Sequence, residues 1–178
     1  MEKILVTKAQ GKLIDNVLKK VKKIALNHVY HTNNLLYITD GRMAVKITIR
    51  EHAEKPRVYR LYKNEMLDKS ATELLLEDQS DVQYPDIVSC MSTDERDSEL
   101  LKENFSIDNK LALSSVLASC VCQKDNYCLS LELIECFYNL KLNFDKLILW
   151  KTKMGNVSVY ELTAENTQII CLPLLINK

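Results

Sequence analysis

The stretch Leu35–Ile47, LLYITDGRMAVKI, decides the fold that the sequence predicts. Apolar and β-branched residues flank an Asp-Gly pair, and such a pair between two strand-like runs is a strong hairpin signal. Gly41 can adopt the positive φ that a tight turn requires, and the Asp40 carboxylate can accept hydrogen bonds from the turning backbone. We therefore expect two antiparallel strands that are joined at Asp40 and Gly41.

Two later stretches accompany this turn: Tyr84-Pro85-Asp86, and Ile170–Leu174 with the sequence ICLPL. In the same order, the three stretches resemble the Thr-Asp-Gly-His-Arg-Leu-Ala turn, the Phe-Pro-Asp-Tyr segment and the Met-Pro-Met strand of bacterial DNA sliding clamps, the beta subunits of DNA polymerase III. The chain lacks the His of that turn, and Met43 takes the place of the Leu. On these motifs the chain resembles a shortened protein of the sliding-clamp family.

The resemblance implies an α+β, DNA-clamp-like fold. In this fold, strand–helix–three-strand halves repeat, the antiparallel sheets are curved, and the helices lie on one side. We expect a single clamp-like unit over residues 1–178, with an N-terminal half at 1–84, a charged loop at 92–103 and a C-terminal half at 104–178. A chain of this length can bury a sizeable core.

The hydrophobic pattern predicts elements that fit this arrangement. A short strand, Ile4–Val6, precedes Thr7, which can cap a helix that runs to about Ala25. The apolar residues of this helix share one face: Leu13, Ile14, Val17, Leu18, Val21, Ile24 and Ala25. The later pattern predicts strands at Arg57–Tyr62, Thr72–Glu77 (with a helix as the alternative), Phe105–Ile107, Lys146–Lys151, Val157–Leu162 and Thr167–Leu172, and helices at Lys63–Lys69, Asp108–Cys120 and Leu133–Leu140.

The polar face of the first helix carries lysines. Lys12, Lys19 and Lys23 lie on the face opposite the apolar stripe, and Lys20 and Lys22 lie at the margins of that lysine face. An ordinary solvated face is one interpretation. The resemblance implies another, in which these lysines contact the phosphate backbone of duplex DNA without reading the bases. The chain as a whole has no basic field, because 24 Lys and Arg balance 24 Asp and Glu.

The resemblance also implies a cleft for short peptides of DNA polymerases or clamp loaders. In it, Met43, Ile170 and Leu172 would form an apolar floor, while Thr39 and Arg42 would fix polar groups of the peptide at the rim. The alternative is that the apolar members are ordinary core residues of a sheet. The full set carried over is Thr39, Gly41, Arg42, Met43, Pro85, Ile170 and Leu172.

Several classes of function are not expected from the sequence. It has no phosphate-binding glycine loop, nucleophile elbow or metal-binding His-Glu helix, so we predict neither an enzyme nor a cofactor. The cysteines at 120, 122, 128 and 136 do not have the paired spacing of zinc sites, and we expect reduced thiols. With no apolar run of membrane-spanning length and no signal peptide, the expected location is the cytoplasm.

The predicted function is that of a sliding-clamp-like processivity factor. It would tether replication proteins to duplex DNA through the peptide cleft. A ring would need several copies of the chain and hence a homo-oligomer. The alternative is a clamp-like interaction protein that forms no ring and binds or competes for the partners of a clamp.

Overall fold

The computed structural model describes residues 1–21, 26–79, 81–91, 99–101, 127–128, 146–151, 158–164, 166–171 and 174–175. The chain forms two compact units. The first comprises Met1–Ser92 with Asn166–Ile169, and the second comprises Thr93–Glu165 with Ile170–Lys178.

The first unit is built in the order strand, helix, three strands. Its elements are Glu2–Thr7 (β1), Lys8–Lys20 (α1), Val29–Thr39 (β2), Met43–Met66 (β3), Ala71–Asp78 (β4) and the single helical turn Ile87–Cys90 (α2). β1 pairs with β4, β4 with β3, and β3 with β2, all antiparallel. β1 to β4 with α1 thus follow the strand–helix–three-strand order that the resemblance implies for one half.

Helix α1 begins with a capping box at Thr7. The Thr7 hydroxyl accepts a hydrogen bond from the Gln10 amide at 3.2 Å, and Gln10 Oε1 accepts one from the Thr7 amide at 2.9 Å. Both donors would otherwise lack a partner inside the helix. The helix ends at Lys20, since Val21 has extended backbone angles, so the predicted extension to about Ala25 is wrong. Val21 stands between two pairs of lysines, whose repulsion disfavours a further turn.

The core of the first unit lies between α1 and the sheet. Side chains of α1 at helical spacing pack against strand residues that alternate along the chain, as the two periodicities require. Burying each such side chain contributes about 1.5–3 kcal/mol. The buried members include Ile4, Val6, Leu13, Ile14, Val17, Leu36, Ile38, Val45, Ile47, Leu74 and Leu76.

Gly11 lets α1 approach β4 closely. A Cβ atom built on Gly11 would lie 2.8 Å from Thr72 Cγ2 and 3.1 Å from Thr72 Oγ1. Thr72 is itself only 4 % exposed, so it has little room to move. The Gly11 carbonyl also accepts a hydrogen bond from Asn64 Nδ2 at 2.8 Å, which ties the helix to β3.

The long strand β3 replaces a predicted helix. The sequence predicted a short helix at Lys63–Lys69, but Lys63 to Met66 continue β3 and pair with Leu75 to Thr72 of β4. The helix prediction is wrong because no apolar stripe favours it, whereas pairing with β4 satisfies the backbone of this segment. The predicted strands at Arg57–Tyr62 and Thr72–Glu77 are confirmed within β3 and β4.

Strands β2 and β3 bend together at Asn33. Asn33 has a φ of 53°, in the left-handed region that Asn tolerates better than most residues. On both sides of Asn33 the register shifts, so that the three residues between His31 and Leu35 face the eight between Thr48 and Arg57. A bulge of this kind bends a sheet and increases its twist. The hairpin is therefore strongly curved.

A buried polar cluster joins β1 to this hairpin. The Tyr59 hydroxyl donates a hydrogen bond to the Glu2 carboxylate, and His31 Nδ1 lies 3.7 Å from Glu2 Oε1. Tyr59 is 1 % exposed. Burial, assisted by the nearby Glu2 carboxylate, raises the pKa of the Tyr59 hydroxyl well above its ordinary value.

The remaining strands are Glu99–Leu101 (β5), Tyr127–Cys128 (β6), Lys146–Lys151 (β7), Ser158–Ala164 (β8), Thr167–Cys171 (β9) and Leu174–Leu175 (β10). The second unit contains β5 to β8 and β10. In it, β5 pairs with β7, β7 with β8, and β6 with β10, all antiparallel. β9 contributes Thr167–Ile169 to the first unit, where the Asn166 carbonyl accepts a hydrogen bond from the Thr48 amide at 2.8 Å.

The strands β7, β8 and β9 confirm the strands predicted near the C-terminus. Glu99–Leu101 form a strand within the segment predicted as the charged loop 92–103. The strand predicted at 105–107 and the helices predicted at 108–120 and 133–140 lie outside the described residues. Within the part of the chain that is described, no helix is long and apolar enough to span a membrane.

Gly11→Ala tests the close contact between α1 and β4. In a helix interior Ala is favoured over Gly by about 1 kcal/mol. Because the new methyl group would collide with Thr72, we instead expect a net loss of about 1–3 kcal/mol in the free energy of unfolding, measured in urea. In a Thr72→Ala background the same substitution should cost less. A stabilised Gly11→Ala single variant would contradict the close contact.

Tyr59→Phe tests the polar cluster through pH. Because the pKa of Tyr59 is higher in the folded than in the unfolded chain, folding favours the protonated hydroxyl. Its contribution to stability is complete below the ordinary tyrosine pKa of about 10 and is lost as pH rises through and above that value. We expect the free energy of unfolding to fall less steeply above about pH 9.5 in Tyr59→Phe than in the wild type. Equal slopes would contradict this assignment.

Candidate functional site

The turn from Thr39 to Met43 is closed by its own side chains. The Thr39 hydroxyl donates to the Met43 carbonyl at 2.8 Å and accepts from the Gly41 amide at 3.0 Å. Asp40 Oδ1 accepts from the amides of Arg42 at 2.8 Å and Met43 at 2.7 Å. Gly41 has a φ of 87°, which explains why Gly stands at this position. The structure thus confirms the hairpin turn that the sequence predicted.

The turn divides its residues between the interior and the surface. Gly41 and Arg42 are exposed. Thr39 and Met43 are only 8 % and 3 % exposed, so Met43 packs as a core residue in this structure. The part of the turn that a ligand can reach is therefore the Gly41 backbone and the Arg42 side chain.

The Pro85 segment leads into α2. Asp86 caps this helical turn, because its carboxylate accepts hydrogen bonds from the Ser89 hydroxyl at 2.7 Å and the Ser89 amide at 3.2 Å. These two bonds lower the pKa of Asp86. Ile87 and Met91 are buried and anchor the turn, whereas Pro85 is exposed.

Tyr84 connects the Pro85 segment with the Asp-Gly turn. Its ring stacks on Tyr30 with the ring centroids 5.6 Å apart and the planes 3° from parallel, and Tyr30 in turn lies 6.1 Å from Tyr37. We call Tyr84, Tyr30 and Tyr37 the tyrosine row. The Tyr84 hydroxyl is buried beside the backbone of Thr39, without a hydrogen bond of normal geometry to any described residue. Burial raises its pKa, and the Thr39 backbone offsets part of that rise.

The predicted cleft residues fall into two groups. Thr39, Gly41, Arg42, Met43 and Pro85 all belong to the first unit, where Tyr84 brings the turn and the Pro85 segment together. Ile170 is a buried residue of β9 and belongs to the second unit. Leu172 lies outside the described residues, so the convergence of all these residues in one cleft stays a prediction.

The predicted DNA-binding lysines lie on the outer side of α1. Lys12, Lys19 and Lys20 are exposed, and Lys19 Nζ lies 3.7 Å from the carboxylate of Asp15. Lys23 lies outside the described residues. Lys8, in the first turn of α1, is partly exposed one turn before Lys12.

Two features of the structure were not predicted from the sequence: the place of Lys8 on the basic face of α1, and the tyrosine row. The four-residue spacing of Lys8 and Lys12 indicates that the two lysines share one face of the helix. The tyrosine row gave a weaker signal, because Tyr30 and Tyr37 are an odd number of residues apart and a regular strand would place them on opposite faces. Only the bend at Asn33 allows the two rings to meet.

The cysteines whose spacing was compared with that of zinc sites lie mostly outside the described residues. Among the described residues, no group of three or more His, Cys, Asp or Glu side chains could hold a metal ion. Cys90 is exposed and Cys171 is buried. Cys128 lies in β6, and residues 120, 122 and 136 lie outside the described residues.

No protein-family model matches the chain, and no curated protein matches it. Solved structures do. The DNA polymerase III beta subunit of Borrelia burgdorferi gives a TM-score of 0.51 at 13 % identity, over 99 % of this chain and 65 % of that chain. The Caulobacter crescentus polymerase III beta subunit gives 0.52 at 10 % identity, over 99 % and 66 %. The beta subunit of Streptococcus pyogenes gives 0.50 at 10 % identity, over 99 % and 66 %.

These likenesses concern the fold. The chain spans about two thirds of the length of the beta subunits that it matches. Among the described residues, the strands that pair within each unit are antiparallel, which is consistent with this likeness. The chain therefore has the DNA-clamp-like α+β fold that the three sequence motifs predicted.

Proposed function

We propose that this protein is a sliding-clamp-like processivity factor, which tethers replication proteins to duplex DNA. The observation that carries the proposal is the turn from Thr39 to Met43. It is closed by internal hydrogen bonds, presents Gly41 and Arg42 to solvent, and lies next to the Pro85 segment through Tyr84. The clamp-like fold supports the same function by analogy.

The turn is suited to docking a peptide. Because its backbone is already fixed, little conformational entropy is lost when a ligand binds. Gly41 has no side chain to shield the backbone, and the Arg42 guanidinium offers several donors for carboxylates or carbonyl groups of a peptide. In the proposal, the exposed Pro85 supplies apolar surface beside the turn, and the ligands are short peptides of DNA polymerases or clamp loaders, which we call clamp-box peptides.

The outer side of α1 is the proposed DNA contact. Lys8, Lys12, Lys19 and Lys20 can approach phosphate groups, and none of them needs to read a base. The Lys19–Asp15 ion pair is exposed, and exposed pairs contribute only about 0–1 kcal/mol, so DNA phosphates can compete for Lys19. Encircling DNA requires further copies of the chain, which makes a homo-oligomer part of the proposal.

A second candidate is a clamp-like interaction protein that forms no ring. Two observations on charge favour it: the chain has 24 basic and 24 acidic residues, and Asp15 reduces the positive potential around Lys19. Such a protein would bind the peptides of clamp partners as a monomer, or compete for them, and would have no affinity for DNA.

The lysine face is tested with circular DNA. We expect salt-sensitive retention of the protein on closed circular duplex DNA and its loss when the DNA is cut, because a ring can slide off an end. Lys12→Glu with Lys19→Glu should reduce retention on the order of tenfold, since two phosphate contacts become repulsive. Lys55→Glu with Lys69→Glu, the same total charge change at two exposed sites outside α1, is the matched control.

Three outcomes separate the two candidates. Retention that depends on circularity and on Lys12 and Lys19 supports the processivity factor. A monomeric protein with no DNA affinity that still binds clamp-box peptides supports the interaction protein. If the α1 double variant and the Lys55→Glu, Lys69→Glu control are retained equally, the DNA-binding assignment of α1 is wrong.

The peptide site is tested with a fluorescent clamp-box peptide. Removing the guanidinium in Arg42→Ala should raise the dissociation constant about tenfold, as expected when a hydrogen bond to a charged group is lost. Pro85→Asp should weaken binding at least as much, because a charge enters the proposed apolar surface. Arg60→Ala, at an exposed arginine of β3, is the control. Unchanged affinity in Arg42→Ala and Pro85→Asp would refute the site.

A further inference from the structure

The tyrosine row exists because β2 bends. In a straight strand, Tyr30 and Tyr37 would be about 23 Å apart at 3.3 Å per residue and would point to opposite faces. Their ring centroids are 6.1 Å apart instead. The left-handed backbone of Asn33 and the register shifts beside it bring the two halves of β2 together. The contact between the Tyr30 and Tyr37 rings therefore depends on the curvature of the hairpin that carries the turn.

Tyr30 also contacts the segment that follows the sheet. Its ring is parallel to that of Tyr84 at 5.6 Å, and Tyr84 immediately precedes Pro85. A proline restricts the residue before it to extended conformations, so the position of the Tyr84 ring largely fixes where Pro85 begins. After Pro85, the capping hydrogen bonds of Asp86 and the burial of Ile87 hold α2 in place relative to Pro85.

We infer that Tyr30 is a positioning residue of the proposed peptide site, an inference that rests on the proposed function. By contacting Tyr37 on one side and Tyr84 on the other, it holds residues 84–91 against the hairpin that ends in the Asp-Gly turn. The geometry requires a ring at position 30 and does not require its hydroxyl. Tyr30 touches no peptide in this scheme and acts through Tyr84 and Pro85.

Hydrogen exchange and peptide binding together test this role. Loss of one aromatic contact is expected to change an equilibrium constant by a factor of roughly 2 to 12. Tyr30→Ala should therefore speed amide exchange in residues 87–91 by roughly fivefold and weaken the clamp-box peptide by a similar factor. Exchange in α1 serves as the internal reference for global stability.

Two variants control for side-chain loss. Tyr30→Phe keeps the ring and should restore both exchange and affinity to wild-type values. Tyr62→Ala removes a tyrosine from β3 that is 65 % exposed and should change neither. If Tyr30→Ala does not fold, Tyr30→Leu takes its place, since it keeps an apolar side chain but no ring.

The outcomes test the role of Tyr30 separately from the proposed peptide site. Faster exchange confined to 87–91, weaker binding and rescue by Tyr30→Phe support it. If the wild type binds the peptide and Tyr30→Ala binds it equally well, Tyr30 has no positioning role and the proposed function stands. The same holds if the amides of residues 87–91 exchange equally slowly in both proteins. A wild type that does not bind the peptide overturns the peptide site itself, and the exchange data then still decide whether Tyr30 tethers the segment.

Discussion

The antiparallel pairing of β2 with β3 is the interaction on which the rest of the first unit depends. β3 also pairs with β4, β4 carries β1, and the Thr48 amide of β3 binds the Asn166 carbonyl from the far end of the sequence. The register of this pairing is set at the turn by the Asp40 carboxylate. A slip by one residue would turn Val45 and Ile47 from the core to the opposite face. The hydrogen bonds of the turn thus determine which side chains are buried in the strand segments between the turn and the bend at Asn33.

The second constraint is the close approach of α1 to the sheet. Gly11 allows the helix backbone to lie against Thr72, and the Thr7 capping box fixes where the helix starts. Because the apolar stripe must face the sheet, the rotation of the helix is no longer free, and Lys12 and Lys19 necessarily face away from the core. The basic face is therefore a consequence of packing. Its use for binding is a separate matter, since the chain carries no net charge and Asp15 lies on the same face.

Local signals in the sequence predicted much of this structure, and non-local contacts account for what they missed. The Asp-Gly turn and the cap at Thr7 depend on residues at most a few positions apart, so both could be recognised directly. The helix predicted from Lys63 onward was wrong because pairing with β4 outweighs the weak local preference of that segment. The tyrosine row joins residues 30, 37 and 84, and the bend that creates it comes from a single left-handed Asn33. The predicted end of α1 lay too far along the sequence, because the apolar periodicity does not reflect the repulsion between the two lysine pairs beside Val21.

The two parts of the candidate site that lie in the first unit are stabilised differently, and this bears on the His that the turn lacks. Thr39 and Asp40 alone close the turn, so its backbone geometry needs no further residue. The absence of the His therefore changes the surface that a ligand would contact, because the Arg42 side chain directly follows the exposed Gly41 backbone. The Pro85 segment, by contrast, depends on ring contacts with a distant part of the chain. A ligand that used both parts would meet one rigid, locally determined surface and one surface whose position follows the curvature of the hairpin.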